Sequence, residues 1–220
     1  MAEELELIPV PTRILTDKDD IIEAIEHYTE GKIGPDDLVC SAESVVAITQ
    51  GRYVRPEDLE ISCLAQLCCR FIPDYGSLAS PHGMQSLMNV EGKWRVAFAL
   101  FAGFVGKIFG QSGLFYKWGG EQTAMIDDVT GTMPPFDKCI VYGPGDPYGM
   151  AQKMKDKLGC FGAMIADVND LKRSRVVGVS SGVKGELAAK LLIDNPFGNA
   201  SQKTPICIIK NYRQYQEKNS

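Results

Sequence analysis

Three oxygen-bearing side chains stand where apolar runs meet loops: Asp127 after Gln122–Ile126, Asp167 after Ala163–Ala166, and Asn199 in the loop NPFGNASQKT. Two carboxylates and an amide, brought together, make an oxygen cage for a divalent cation with positions left open for phosphate. The same residues also suit ordinary capping and turn roles. Only two histidines are present, His27 and His82, and no Cys-x-x-Cys pair occurs, so a histidine–cysteine zinc site is not expected and any metal held here would be a hard ion such as magnesium or manganese. Beside Asp167 lie Lys172, Arg173 and Arg175, either a solvated loop or a cluster that meets substrate carboxylates. Ser180-Ser181-Gly182 precedes an expected helix, Val183–Ile193, whose first amides would be free for an anion. No phosphate loop of the Gly-x4-Gly-Lys-Ser/Thr kind and no Gly-x-Gly-x-x-Gly after a strand is present. Ser41, Ser180 and Ser181 have no neighbouring histidine, so a serine hydrolase is not supported.

The 220 residues are 45% hydrophobic and 23% charged, enough apolar material for a buried core. A formal charge of -5 offers no basic field for a polyphosphate backbone, so nucleic acid is not an expected partner. Seven cysteines, an odd number lying mostly inside apolar runs, read as reduced and buried. The start MAEELELIPV has neither a basic leader nor an apolar signal core, and a cytoplasmic location is expected.

These groups need a scaffold of mixed strands and helices. Glu4–Leu7 suits a first strand ending in a loop at Pro9-Val10, Asp19–Tyr28 a helix, and Leu38-Val39-Cys40 a buried strand with Ser41 as N-cap of a helix from Ala42 to Ile48. Pro56–Phe71 reads as a helix with Leu59, Cys63, Leu67 and Phe71 on one face. Met84–Phe109 is strongly apolar. Its charge-free core, Val96–Gly106, is 11 residues long against the roughly 20 of a bilayer span, so a buried or partner-covered helix is expected, with Gly103, Gly106 and Gly110 allowing close packing. Gly119-Gly120 signals a hairpin. Tyr148–Leu158 is a helix stopped by Gly159, Val176–Val179 and Pro205–Ile209 are strands, and Tyr212–Ser220 is a polar tail. The expected architecture is one α/β domain over 1–220 with a mixed sheet and an apolar helical insert at about 84–120.

Taken in order, Val39-Cys40-Ser41, Gln50-Gly51-Arg52, Ala124-Met125-Ile126-Asp127, Pro144-Gly145-Asp146-Pro147-Tyr148-Gly149, Ile165-Ala166-Asp167-Val168-Asn169 and Gly198-Asn199 ahead of Pro205 resemble the coenzyme F420-0 γ-glutamyl ligase family. The match covers most of the chain and is weakest from Phe71 to Gly120. The resemblance implies an F420 ligase-like fold in an intertwined homodimer. It also implies a GTP-dependent (or ATP-dependent) reaction, with magnesium or manganese, that joins L-glutamate to a small-molecule carboxylate acceptor. Asp127 and Asp167 match metal-ligand positions, and Asn199 falls where the family has a metal-binding glutamine. Ser41, Pro9 and Val10 match nucleotide contacts, Arg52 is a candidate for substrate, and no catalytic residue is assigned. The chain departs from the pattern three times: Ile48-Thr49-Gln50 replaces a stretch holding a nucleotide-contacting lysine, Val168 replaces a metal-binding threonine, and the region between Asp167 and Lys184 is much shorter than in the family. The alternative is a noncatalytic nucleotide- and metal-binding or assembly protein that retains the fold.

Overall fold

The computed structural model describes residues 5–73, 76–126, 134–169, 172–198 and 202–219. In chain order the first elements are β1 (Leu7–Val10), α1 (Ile21–Tyr28), β2 (Leu38–Ala42), α2 (Glu43–Thr49) and β3 (Tyr53–Val54). They are followed by α3 (Cys63–Cys68), α4 (Pro81–Glu91), α5 (Lys93–Ile108), α6 (Leu114–Trp118) and β4 (Ile140–Val141). The last elements are α7 (Pro147–Leu158), β5 (Gly162–Asn169), β6 (Arg173–Val179), α8 (Gly185–Leu191), β7 (Ile206–Ile209) and α9 (Tyr212–Lys218). The protein is therefore mixed α and β, and it forms two compact units, Met1–Gly51 with Pro144–Ser220 and Arg52–Gly143. The apolar stretch at 84–120 lies inside the second.

The first unit is built on a five-stranded sheet in the order β1-β7-β2-β5-β6. β2 and β5 run parallel, and the other neighbours are antiparallel. Strand alternation gives the sheet two faces. Leu38, Cys40, Met164, Ala166, Cys207 and Ile209 pack with Ala188 and Leu192 from the α8 region and with Tyr212 of α9. Val39, Ala163, Ile165, Ile206 and Ile208 point the other way and are buried as well, and α2 and α7 lie against β5. Both faces of the central strands are thus covered, which is why they read as continuous apolar runs.

Local chemistry places the helices. Asp20 caps α1 by accepting from Ile22 N at 2.8 Å and Glu23 N at 3.1 Å, and Ile21 and Ile25 turn inward. Asp146, with Pro147 at the first helical position, caps α7 by accepting from Gly149 N at 3.0 Å. The Gly145 amide and carbonyl are held by the Gln50 side chain, at 2.7 and 3.1 Å. Two of the sequence's distinctive motifs therefore meet as one loop clamp. Gly178 lets α7 approach β6, because a Cβ there would lie 2.4 Å from the Pro147 carbonyl.

Four local expectations are corrected. β1 runs through Pro9 and Val10 instead of ending before them; Pro9 is tolerated because β1 is an edge strand. Ser41 is a strand residue, and the cap position of α2 belongs to Ala42. Pro56–Phe71 is not one helix: a 3-10 turn at Pro56–Asp58, α3, and a second 3-10 turn at Cys69–Phe71 leave Leu67 and Phe71 exposed. The C-terminal stretch is not a loose tail. Tyr212 is fully buried and donates to the Lys184 carbonyl at 2.8 Å, while Asp37 accepts from Asn211 N at 2.9 Å and Gly34 N at 2.7 Å and pairs with Lys210.

The second unit is mainly helical, with β3 and β4 as an antiparallel pair. Its core joins Met84, Leu87 and Met88 of α4 to Val96 and Ala99 of α5 and Phe115 of α6. The helix expected over Val96–Gly106 is α5, and Gly92 at φ +92° separates it from α4, in a region that L side chains rarely adopt. Gly103 and Gly106 do give close packing. A Cβ at either would press on Phe115 or Leu114 of α6, at 3.0 and 2.4 Å. The expected Gly119-Gly120 hairpin is absent: α6 and a 3-10 turn at Glu121–Ala124 flank the glycines.

Candidate functional site

One edge of the sheet in the first unit collects most of the predicted residues that the structure describes there. Cross-strand register places Val10, Ile206, Ser41 and Ile165 in one row across β1, β7, β2 and β5. The carboxyl ends of β1, β2 and β5 therefore point the same way. In α/β sheets, ligands gather beyond such ends. Val10 and Ser41 are separated by one strand, roughly 10 Å at the usual inter-strand spacing.

Asp167 lies one residue past the last β2–β5 pair, Ala42 with Ala166, while β5 itself continues to Asn169. Its register partner on β6 is Arg175, whose Nη2 reaches Asp167 Oδ2 at 3.3 Å and Glu43 Oε2 at 3.4 Å. One guanidinium thus bridges two carboxylates. Asp167 is 41% exposed in its side chain and Glu43 only 11%. Glu43 is the first residue of α2, where the positive end of the helix favours a negative charge. Sequence reasoning missed it. The available signal was its position directly after β2, the same strand-end placement that drew attention to Asp167.

Ser41 completes this edge. Its side chain alternates onto the same face as Asp167, away from the α8–α9 cluster, and its Oγ is buried without a hydrogen-bond partner. A buried hydroxyl left unpaired costs about 1–3 kcal/mol. Val168 packs with that α8–α9 cluster, on the face opposite Asp167. Ile48, where the resembled family has its lysine nearby, is 4% exposed and belongs to the core.

The remaining predicted residues are placed as follows. Pro9 is exposed on the edge strand β1. Lys172 pairs at 3.7 Å with Asp194, both well exposed, and Arg173 sits at the exposed start of β6. Of the basic trio, only Arg175 reaches Asp167 or Glu43. Arg52 belongs to the second unit, where its Nε donates to the Gly143 carbonyl at 2.6 Å. Asp127 and Asn199 lie outside the described residues. Among the described residues no group of three or more His, Cys, Asp or Glu is arranged to hold a metal.

The amides of Ser180, Ser181, Val183 and Lys184 are already engaged within the protein. Ser180 N donates to the Ala163 carbonyl, Ser181 N to Gln152 Oε1, Val183 N to the Ser180 carbonyl and Lys184 N to Gln216 Oε1. Ser180 Oγ accepts from Ala163 N at 2.9 Å, a structural bond that closes the start of β5. The buried thiols near the sheet are poor nucleophiles: burial pushes Cys40 up and Cys207 up to about 12. What the edge offers chemically is a pair of carboxylates with one guanidinium beside an unpaired hydroxyl.

No known family model matches the chain, and no curated protein matches it at a significant level.

Proposed function

We propose that the protein is a divergent member of the coenzyme F420-0 γ-glutamyl ligase family that joins L-glutamate to a small-molecule carboxylate acceptor, using GTP or ATP with magnesium or manganese, as an intertwined homodimer. The observation that carries this reading is the edge at the ends of β2 and β5, where the unpaired Ser41 hydroxyl stands beside the Glu43–Arg175–Asp167 group. A phosphate oxygen accepting from Ser41 would relieve the cost of that buried hydroxyl. The oxygen donors fit a hard cation: Asp167, with Glu43 beside it, would hold it in place of the guanidinium. Such a cation would neutralise phosphate charge. In the reaction, an acceptor carboxylate oxygen attacks the γ-phosphorus and the nucleoside diphosphate leaves, forming an acyl phosphate. The glutamate amine then attacks the acyl carbon, an amide bond forms, a proton is lost and inorganic phosphate departs.

A second reading has its own support. Arg175 already bridges the two carboxylates, Ile48 is buried where the family lysine is missing nearby, and Val168 packs against a hydrophobic cluster. These features favour a protein that keeps the fold and binds a nucleotide without transferring glutamate. Calorimetry with GTP and ATP, each with manganese or magnesium, tests both readings on the parent and on Asp167→Asn and Asp127→Asn. The ligase reading expects micromolar binding that both substitutions weaken at least tenfold, with phosphate released when glutamate and acceptor carboxylates are added. Binding without phosphate release leaves the second reading. No binding with any cation overturns both.

A further inference from the structure

We propose that the exposed aromatic face of α5 is a docking surface for an anionic lipid bilayer. Trp94, Phe98, Phe101, Phe104, Ile108 and Phe109 are each between 59% and 78% exposed, although the opposite face of the helix, through Val96, Ala99 and Gly106, is packed into the core of the second unit. Trp94, Phe98, Phe101 and Ile108 recur at spacings of four, three and seven, one stripe along the helix. Tyr116 and Trp118 of α6 extend it, and Trp118 stacks on Phe98 at 5.9 Å between ring centroids. At about 150–250 Å² per aromatic side chain, the patch is on the order of 800 Å². That exceeds the roughly 300–600 Å² of the largest patch on a typical monomer.

Charge identifies the occupant. Between Gly92 and Gly120 the sequence has Lys93, Arg95, Lys107 and Lys117 and no Asp or Glu, in a chain whose formal charge is -5. All four cations are exposed, but Arg95 pairs with Glu91 at 2.9 Å, so Lys93, Lys107 and Lys117 carry the uncompensated positive charge. A second copy of this surface would bring the same cations against each other with no acidic complement from the segment, which disfavours a symmetric self-interface. A bilayer surface rich in acidic headgroups supplies the missing charge. Aromatic side chains flanked by lysine and arginine also suit the headgroup boundary. The helix has 16 residues, about 24 Å, and no helix among the described residues is long and apolar enough to cross a membrane, so the docked α5 would lie in the plane of the surface.

Both tryptophans of the chain, Trp94 and Trp118, are on this surface, so intrinsic fluorescence reads it directly. The full chain is mixed with phosphatidylcholine vesicles, with or without phosphatidylglycerol, and followed by tryptophan emission and co-sedimentation. Binding to the anionic vesicles with a blue shift, weakened by salt, is expected. Phe101→Ser with Phe104→Ser should lower the affinity more than tenfold, and each of Lys93→Gln, Lys107→Gln and Lys117→Gln by about fivefold. All five positions are exposed, and circular dichroism checks that the variants keep the parent's fold. Failure to bind anionic vesicles overturns the proposal, whether the protein is a monomer or buries the tryptophans in a concentration-dependent dimer. Equal binding to neutral and anionic vesicles overturns it as well.

Discussion

Replacing Arg175 with methionine removes a cation that contacts both Asp167 and Glu43 while keeping an apolar stem of similar length. With both contacts near 3.3–3.4 Å, the two carboxylate oxygens lie within about twice that distance of each other. Two unit charges about 6 Å apart repel by roughly 3 kcal/mol at an effective dielectric of 20. Solvent around the half-exposed Asp167 screens much of this, so Arg175→Met should lose about 1–2 kcal/mol of stability at neutral pH. For a chain of this size that is a fall of roughly 2–8 °C in the unfolding midpoint. Calorimetry and urea unfolding measure it, and a double-mutant cycle with Asp167→Asn should return a coupling near 1 kcal/mol. If the edge takes a divalent cation, millimolar manganese should raise the midpoint of Arg175→Met more than that of the parent, because the cation no longer competes with a guanidinium. A coupling indistinguishable from zero would refute the energetic link between Arg175 and Asp167. An equal manganese response in parent and variant would refute the competition.

Three further outcomes follow from particular contacts. The cysteines are free, and Cys63 alone is exposed, so a thiol reagent should modify one cysteine in the native protein and all seven after denaturation. The side-chain hydrogen bond from Arg13 holds Asp19 at about 2, below its ordinary 3.8, so its contribution is present above about pH 4 and lost as pH falls through about 2. Asp19→Asn should therefore be less stable than the parent at neutral pH, and acid unfolding curves should show the difference closing across that window. Tyr212→Phe, which removes the hydroxyl bond while the Lys184 carbonyl keeps the Leu187 and Ala188 amides, should cost about 0.5–1.5 kcal/mol, and Tyr212→Ala about 3–5 kcal/mol, in urea unfolding.

Elements with a strong local signal were legible in the sequence. α1 and α7 carry caps and stops that act within a few residues: Asp20, Asp146 with Pro147, and Gly159 in the left-handed conformation. The buried strands β2, β5 and β7 show as unbroken apolar runs. The errors arose where long-range contacts override local preference. Gly119-Gly120 has the composition of a hairpin turn, but the residues before it form a helix packed on α5 through Gly103 and Gly106. The tail after Tyr212 looks polar because its anchoring depends on one buried ring and on bonds to Asp37 and Lys184, residues far away in sequence.

By itself, the sequence determined the residue chemistry: two histidines with no Cys-x-x-Cys pair, no phosphate-loop fingerprint, seven cysteines, and an acidic chain with one strongly apolar, cationic segment. Tertiary structure alone decided which of those groups meet. Glu43 and Arg175 are 132 residues apart and reach each other only because β2 pairs in parallel with β5 and β5 folds back onto β6. The face on which Ser41 and Asp167 stand, and from which Val168 turns away, is set by strand register. A shift of one residue would exchange every side chain between the two faces of the sheet.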